Sequence, residues 1–272
     1  MFGFFEGPCW TAKQIPDLKG ESIVSCQWRD RLRDCFGTCA PRRKNLAFTP
    51  YQLSEDGIEL QICNTTGHFA FTVPLLDLLE KTSKEPDAHV RVVVTSSEAH
   101  FWVWGTPTFS SLESTHQHSF CPIDRYGLSK LMNILFTNEL QKKLSHTKIV
   151  CTSIHPGGVD TNIARGDWPE RYPILKIFDW FKSYVLLTPE QGAITLLYAA
   201  TDPEVDAKDM RLIRIFQYHQ QFPGTPLDRS AYLTPFGKVS KPAKNAQDPD
   251  GILGTQVWNL CEALVKDKVK DH

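Results

Sequence analysis

The 272-residue sequence reads as an α/β protein, a parallel sheet covered by helices. Three observations point there. Two short runs, Val90 to Thr95 and Lys148 to Ile154, have the length and composition of strands buried on both faces. The segments between and around them carry apolar residues at helical spacing. Strand and helix therefore alternate, which is the rhythm of parallel strands joined by crossover helices.

Taken in order, residues 58–80 have apolar positions at Ile58, Ile62, Phe69, Val73 and Leu76, with Asp56 and Gly57 at the entry. This spacing predicts one long helix, and a polar Asn64 inside it is expected to bend it locally. The first strand follows and stops at Thr95-Ser96-Ser97. Residues 123–144 predict a second long helix through Leu128, Leu131, Leu135 and Leu140. The next strand is halted by His155-Pro156-Gly157-Gly158. Pro189 to Ala200 predicts a helix with Pro189 in its first turn. Residues 202–229 are mixed and Pro-rich at their end. Residues 25–48 hold six basic residues and three Cys but sustain neither periodicity.

Composition narrows the class. Hydrophobic residues at 41% and charged residues at 22% rule out wholesale disorder. A net charge of −1 gives no electrostatic case for nucleic acid or an anionic membrane surface. No apolar run approaches the ~20 residues of a transmembrane helix, and the first ten residues lack the pattern of a signal peptide. The eight cysteines are scattered without a C-x-x-C pair, so a reduced, cytoplasmic protein is expected. His116-x-His118 with Cys121 has metal-ligand residue types but no convincing fourth ligand. It reads as a polar loop, and no metal is expected.

The sharpest chemical feature is Tyr126-Gly127-Leu128-Ser129-Lys130. On a helix, positions i and i+4 share a face, so the phenol and the ammonium address one cleft. A nearby cation is expected to lower the Tyr pKa and make it a usable acid or base. Ser96-Ser97 sits where the open end of a parallel sheet places ligand-contacting groups. The turn at residues 155–161 lets backbone approach a ligand closely.

This ordered set resembles the short-chain dehydrogenase/reductase superfamily, and within it the retinol-dehydrogenase-like and WW-domain-oxidoreductase-like branch with its fungal members. The matching text is YQLSEDGIELQ (51–61), NTTGHFAFT (64–72), VRVVVTSSEAH (90–100), YGLSKLMNILFTNEL (126–140) and IHPGGVDTNI (154–163), then AYLTPFGKV and VWNLCEALV near the C-terminus. The resemblance implies a Rossmann-like sheet and reversible alcohol/carbonyl chemistry with NADP(H) or NAD(H). It gives Tyr126 the proton transfer and Lys130 the tuning of Tyr126 and a hydrogen bond to the nicotinamide ribose. Ser97, rather than Ser96, would orient the substrate oxygen. Asn64 would hold a water linking Lys130 to solvent, and Val159 and Thr161 would contact the cofactor carboxamide. It further implies a lipophilic small-molecule substrate, with secondary metabolism as one setting, and Trp102 and Trp104 near it. A substrate lid would span about residues 162–188, including Trp180 and Phe181. Homo-oligomers would form through the helices around 58–80 and 126–144.

One part of the pattern is missing. The family opens on a Gly-rich turn that seats a pyrophosphate at a helix N-terminus, yet Ser25-Cys26-Gln27-Trp28-Arg29 contains no glycine. A βαβ unit takes about 30 residues or more, and only 63 precede Asn64. The expectation is therefore an incomplete nucleotide-binding half in residues 1–49 and a catalytic half in 50–272. A catalytically silent scaffold protein, or an altered reading of the gene around residues 25–48, stands as the alternative to an active enzyme.

Overall fold

The computed structural model describes residues 12–15, 50–54, 56–117, 121–159, 186–205 and 231–269. The expectations attached to residues 25–48, His118, Thr161, Trp180, Phe181 and 206–229, and to nearly all of the lid, lie outside these residues.

Three strands are parallel and adjacent: β1 (Arg91–Thr95), β2 (Val150–Ile154) and β3 (Ala231–Thr234). A two-residue strand, β4 (Lys238–Val239), runs antiparallel to β3. Arg91 pairs with Val150 and Thr95 with Ile154, so the carboxyl ends of β1 and β2 lie level. The expected two-sided burial holds for β2, where Cys151 to Ile154 are all buried. In β1 only Val94 is fully buried among the described residues, because its neighbours are half-covered.

Helices lie on both faces. On one face, α1 (Ile62–Thr72), α4 (Pro122–Lys143) and α7 (Ile252–Val269) enclose the larger core. On the other, α5 (Pro189–Thr201) packs Tyr198 and Ala199 against Ile154 and Leu233. Thr188 and Gln191 form a reciprocal cap at the start of α5, with Pro189 in the first turn. Short helices α2 (Leu76–Thr82), α3 (Leu112–Gln117) and α6 (Lys244–Gln247) complete the set.

The single helix expected over residues 58–80 is two. Pro74 lacks the N–H that would continue the ladder, and Val73–Leu75 becomes a 3₁₀ turn before α2 begins. The bend is therefore at Pro74, and Asn64 lies in regular helix. The start also differs. Ile58 and Leu60 are buried but precede the helix, in a turn bridged from Leu53 to Glu59.

Glu59 explains that start. Its carboxylate accepts from the backbone N–H of Gln61 (2.8 Å) and of Ile62 (3.3 Å), satisfying donors that the helix leaves open. Its other oxygen is 3.4 Å from Arg125 Nε, with the Glu59 side chain fully buried and that of Arg125 nearly so. Burial raises the Glu59 pKa, and the Gln61 N–H and the Arg125 charge pull against that rise. The pair ties the first turn of α1 to the residue beside Tyr126 on α4.

In α4, 16 of 22 residues are buried, so α4 is enclosed nearly all round. Part of that cover is α7. Trp258 meets Phe69 of α1 at 4.9 Å and stacks on Phe136 of α4 at 6.0 Å between ring centroids. The surface through which a second copy was expected to dock on α1 and α4 is thus shared with the chain's own C-terminal helix.

Removing one partner of a buried ion pair strands the other charge. Glu59→Ala is expected to lower unfolding free energy by about 3–5 kcal/mol, measured by urea denaturation. A change below about 1 kcal/mol, the range of exposed pairs, would contradict this account.

Candidate active site

Four polar side chains converge where β1 ends between α1 and α4. Lys130, one turn beyond Tyr126 on α4, is only 7% exposed. Its ammonium donates to Asn64 Oδ1 (3.0 Å) and to the Thr95 carbonyl (3.3 Å), and it lies 5.7 Å from the Tyr126 ring centre. Among the described residues it has no carboxylate partner. Desolvation lowers its pKa to about 8.

Ser97 and Ser96 have separate fates. The Ser97 hydroxyl hydrogen-bonds Tyr126 and accepts from the Ala99 N–H at 3.2 Å. Ser96 is 2% exposed and donates inward to the Lys130 carbonyl at 2.8 Å, locking β1 to α4. Only Ser97 is placed beside the phenol. Its turn is braced from behind by His100, whose Nδ1 lies 2.6 Å from the Ser97 carbonyl while Nε2 accepts from the Ala243 N–H at 3.0 Å. Gly127 permits the approach: a Cβ there would lie 2.5 Å from the Ala99 carbonyl oxygen. Any side chain at 127 would push the Ser97 turn away from α4.

One detail differs from expectation. The Tyr126 pKa is raised, not lowered, because desolvation outweighs the Ser97 hydrogen bond. Spacing identifies a cation one turn away but carries no information about the loss of water around the phenol. Asn64 contacts Lys130 through its side-chain oxygen. The chain also contains two participants that the motif reading did not single out. Asn133 is fully buried and donates to both oxygens that hold Lys130. His68, one turn past Asn64, has its pKa lowered to about 3 by burial and by the Lys130 charge. Asn133 lies at i+7 from Tyr126 and His68 at i+4 from Asn64, so helical periodicity around the two motifs was the available signal.

Val159 stands just beyond β2, bridged to Leu187, and its Leu187 neighbour donates to the Gly158 carbonyl at 2.7 Å. Gly157 has φ of +97° and would press a Cβ against Leu187, so this turn requires glycine. The structure joins Ser97, Tyr126, Lys130 and Asn64 through direct contacts. Val159 lies at the same end of the sheet, and Thr161 falls outside the described residues. His116 is engaged otherwise: Nε2 accepts from the Glu59 N–H at 3.2 Å and Nδ1 lies 3.3 Å from the Tyr51 hydroxyl. No group of metal-ligating side chains occurs among the described residues, and no helix there is long and apolar enough to cross a membrane.

A half-buried phenol, a serine hydroxyl, a lysine ammonium and an asparagine thus meet at the carboxyl end of a parallel sheet, and the chain's sequence matches proteins of the short-chain dehydrogenase/reductase superfamily. It is 38% identical over 162 residues to retinol dehydrogenase 14 of Homo sapiens, covering 58% of this chain and 44% of the human protein. A short-chain dehydrogenase/reductase of Armillaria gallica is 30% identical over 226 residues, covering 80% and 64% respectively. The WW domain-containing oxidoreductase of Danio rerio is 30% identical, with 80% of this chain and 47% of that protein covered. A crystal structure of a putative uncharacterized protein from Mycobacterium paratuberculosis superposes with a TM-score of 0.51 at 27% identity, covering 82% of this chain and 64% of that one. No family model matches. The chain spans roughly half to two-thirds of the length of these curated relatives, between 44% and 64%.

Buried neutral histidines give the fold a pH dependence. Burial lowers His100 and His155 to about 4 and His68 to about 3. Below their unfolded values near 6.5, the unfolded chain binds protons that the folded chain refuses, so stability falls as pH drops from about 6.5 toward 4. Thermal unfolding at pH 5 is expected at a lower temperature than at pH 7, and His100→Gln is expected to reduce that difference. Equal midpoints at both pH values would refute the assignment.

Proposed function

We propose that the chain is an NAD(P)-dependent oxidoreductase that interconverts an alcohol and a carbonyl on a lipophilic small molecule. The observation that carries the reading is the joined set of Tyr126, Ser97, Lys130 and Asn64. The Lys130 ammonium has three N–H donors, and two are used on Asn64 and Thr95. The third suits a ribose hydroxyl, so the nicotinamide half of the cofactor fits the residues present. Lys130, Tyr126 and Val159 would hold it, with Thr161 completing the contact as the resemblance implies. When bound, the nicotinamide supplies or accepts the hydride.

The protein's own part is proton handling. With its pKa raised, Tyr126 is a neutral phenol near pH 7 and stands ready to donate. A carbonyl oxygen between the Tyr126 and Ser97 hydroxyls receives the Tyr126 proton as its carbon is reduced. The phenolate left behind is stabilised by the Lys130 ammonium and the Ser97 hydroxyl. In the reverse direction the same phenolate removes the alcohol proton.

Aromatic side chains beginning four residues after Ser97 support a lipophilic substrate. Phe101, Trp102 and Trp104 are 50%, 45% and 82% exposed, and Ile123 near the start of α4 is 45% exposed. Cys63, Cys121, Cys151 and Cys261 form no disulfide among the described residues, which suits a reducing compartment such as the cytoplasm. A place in secondary metabolism rests on the resemblance alone.

Titration with NADPH, followed by nicotinamide fluorescence, is expected to show binding. Tyr126→Phe should lose about 10²-fold or more of carbonyl-reducing turnover while NADPH binding through Lys130 and Val159 remains measurable. No binding at millimolar NADPH would overturn this reading in favour of a silent scaffold protein. In the active protein, reduction should slow as pH rises through about 8, where the Lys130 ammonium loses its proton. A rate unchanged to pH 10 would remove Lys130 from the mechanism.

A further inference from the structure

Lys130 is held by two oxygens, and both belong equally to another residue. Asn133 donates from Nδ2 to Asn64 Oδ1 at 2.9 Å and to the Thr95 carbonyl at 3.0 Å. Its own Oδ1 accepts from the Thr65 hydroxyl at 2.8 Å, and the Thr65 oxygen is also 3.0 Å from the Ser129 carbonyl. Asn133 and Thr65 are both fully buried. Turning the Asn133 amide over would set its oxygen against two oxygens that can only accept, so the surroundings over-determine its orientation.

That orientation decides the next one. Asn64 is only partly buried, and Asn133 adds a second donor to the oxygen that already faces the Lys130 ammonium. With Asn133 Nδ2 and Lys130 Nζ both arriving as donors, Asn64 can face them only with its oxygen. Tyr126, Lys130 and Asn133 fall at i, i+4 and i+7 of α4, so one helix face carries the acid, the cation and the group that arranges the cation's partners. We propose that Asn133 is a positioning residue, which fixes the Asn64 amide oxygen toward Lys130 and so anchors the ammonium beside Tyr126. Thr65 acts behind it as the hydroxyl that fixes Asn133.

Only the activity arm of the test rests on the proposed oxidoreductase function. The full chain is labelled with [13C]lysine, and the Lys130 Cε resonance, assigned by its loss in Lys130→Arg, is titrated with pH. Asn133→Ala is expected to change the Lys130 proton affinity about threefold or more, roughly half a pH unit. In an Asn64→Ala background the same substitution should have less than half that effect, because its action passes through Asn64. Equal shifts in both backgrounds, or no shift in either, would overturn the proposal. If Asn133→Ala does not fold, the isosteric Asn133→Asp replaces it. The new carboxylate should raise the Lys130 midpoint by about one pH unit or more, and an unmoved midpoint counts against the proposal. Carbonyl reduction with NADPH is then measured on the same variants, and its high-pH limb should move with the Lys130 midpoint. Coupling in the titration without any turnover would refute the oxidoreductase reading and leave the positioning role standing.

Discussion

The site is built around a buried lysine ammonium that has no carboxylate partner among the described residues. A cation removed from water needs hydrogen-bond acceptors in place of its hydration shell, or it loses its proton. Here the acceptors are an amide oxygen from α1 and a carbonyl from the end of β1. Neither is charged, so the ammonium survives with its pKa reduced to about 8. A carboxylate in their place would hold the charge more firmly and remove this poise. Three elements must therefore meet within hydrogen-bond distance, and much of the surrounding structure serves that meeting.

Several contacts bring the three together. Ser96 pins the end of β1 to the Lys130 backbone, and Thr65 pins α1 to α4 through Ser129 and Asn133. The Glu59–Arg125 pair closes the same helix junction from the other end, one residue from Tyr126. Gly127 brings the Ser97 turn against α4, and His100 fixes that turn from the side of Ala243. These groups touch no reacting atom, but each removes a freedom that would let phenol, serine and ammonium drift apart.

Much of this was legible along the chain. The β-branched run at Val90 to Thr95 is strand within one residue, because a short apolar run beside a polar turn has few other uses. The second long helix begins at Pro122, one residue from expectation, where proline suits the first turn. Other features were hidden. Glu59 in sequence is one more acid near a helix start, and its burial against Arg125 depends on a residue 66 positions later. Asn133 lies within the matched segment 126–140 but had no role assigned there, because its partners are at 64, 65 and 95, and helical spacing shows a shared face but not what that face meets.

Sequence by itself determined which side chains are available and their order on each element. Tyr126 and Lys130 share a helix face because 3.6 residues make a turn, whatever surrounds them. It also determined the class of fold, since alternating strand and helix periods admit few arrangements. Tertiary structure alone decided how those side chains behave. It raised the Tyr126 pKa where the neighbouring cation argued for lowering it, and it separated Ser97 from Ser96 by turning one toward the phenol and the other into the interior. The reason is that desolvation and hydrogen-bond partnership are properties of the whole environment, and that environment is assembled from residues far apart in the chain.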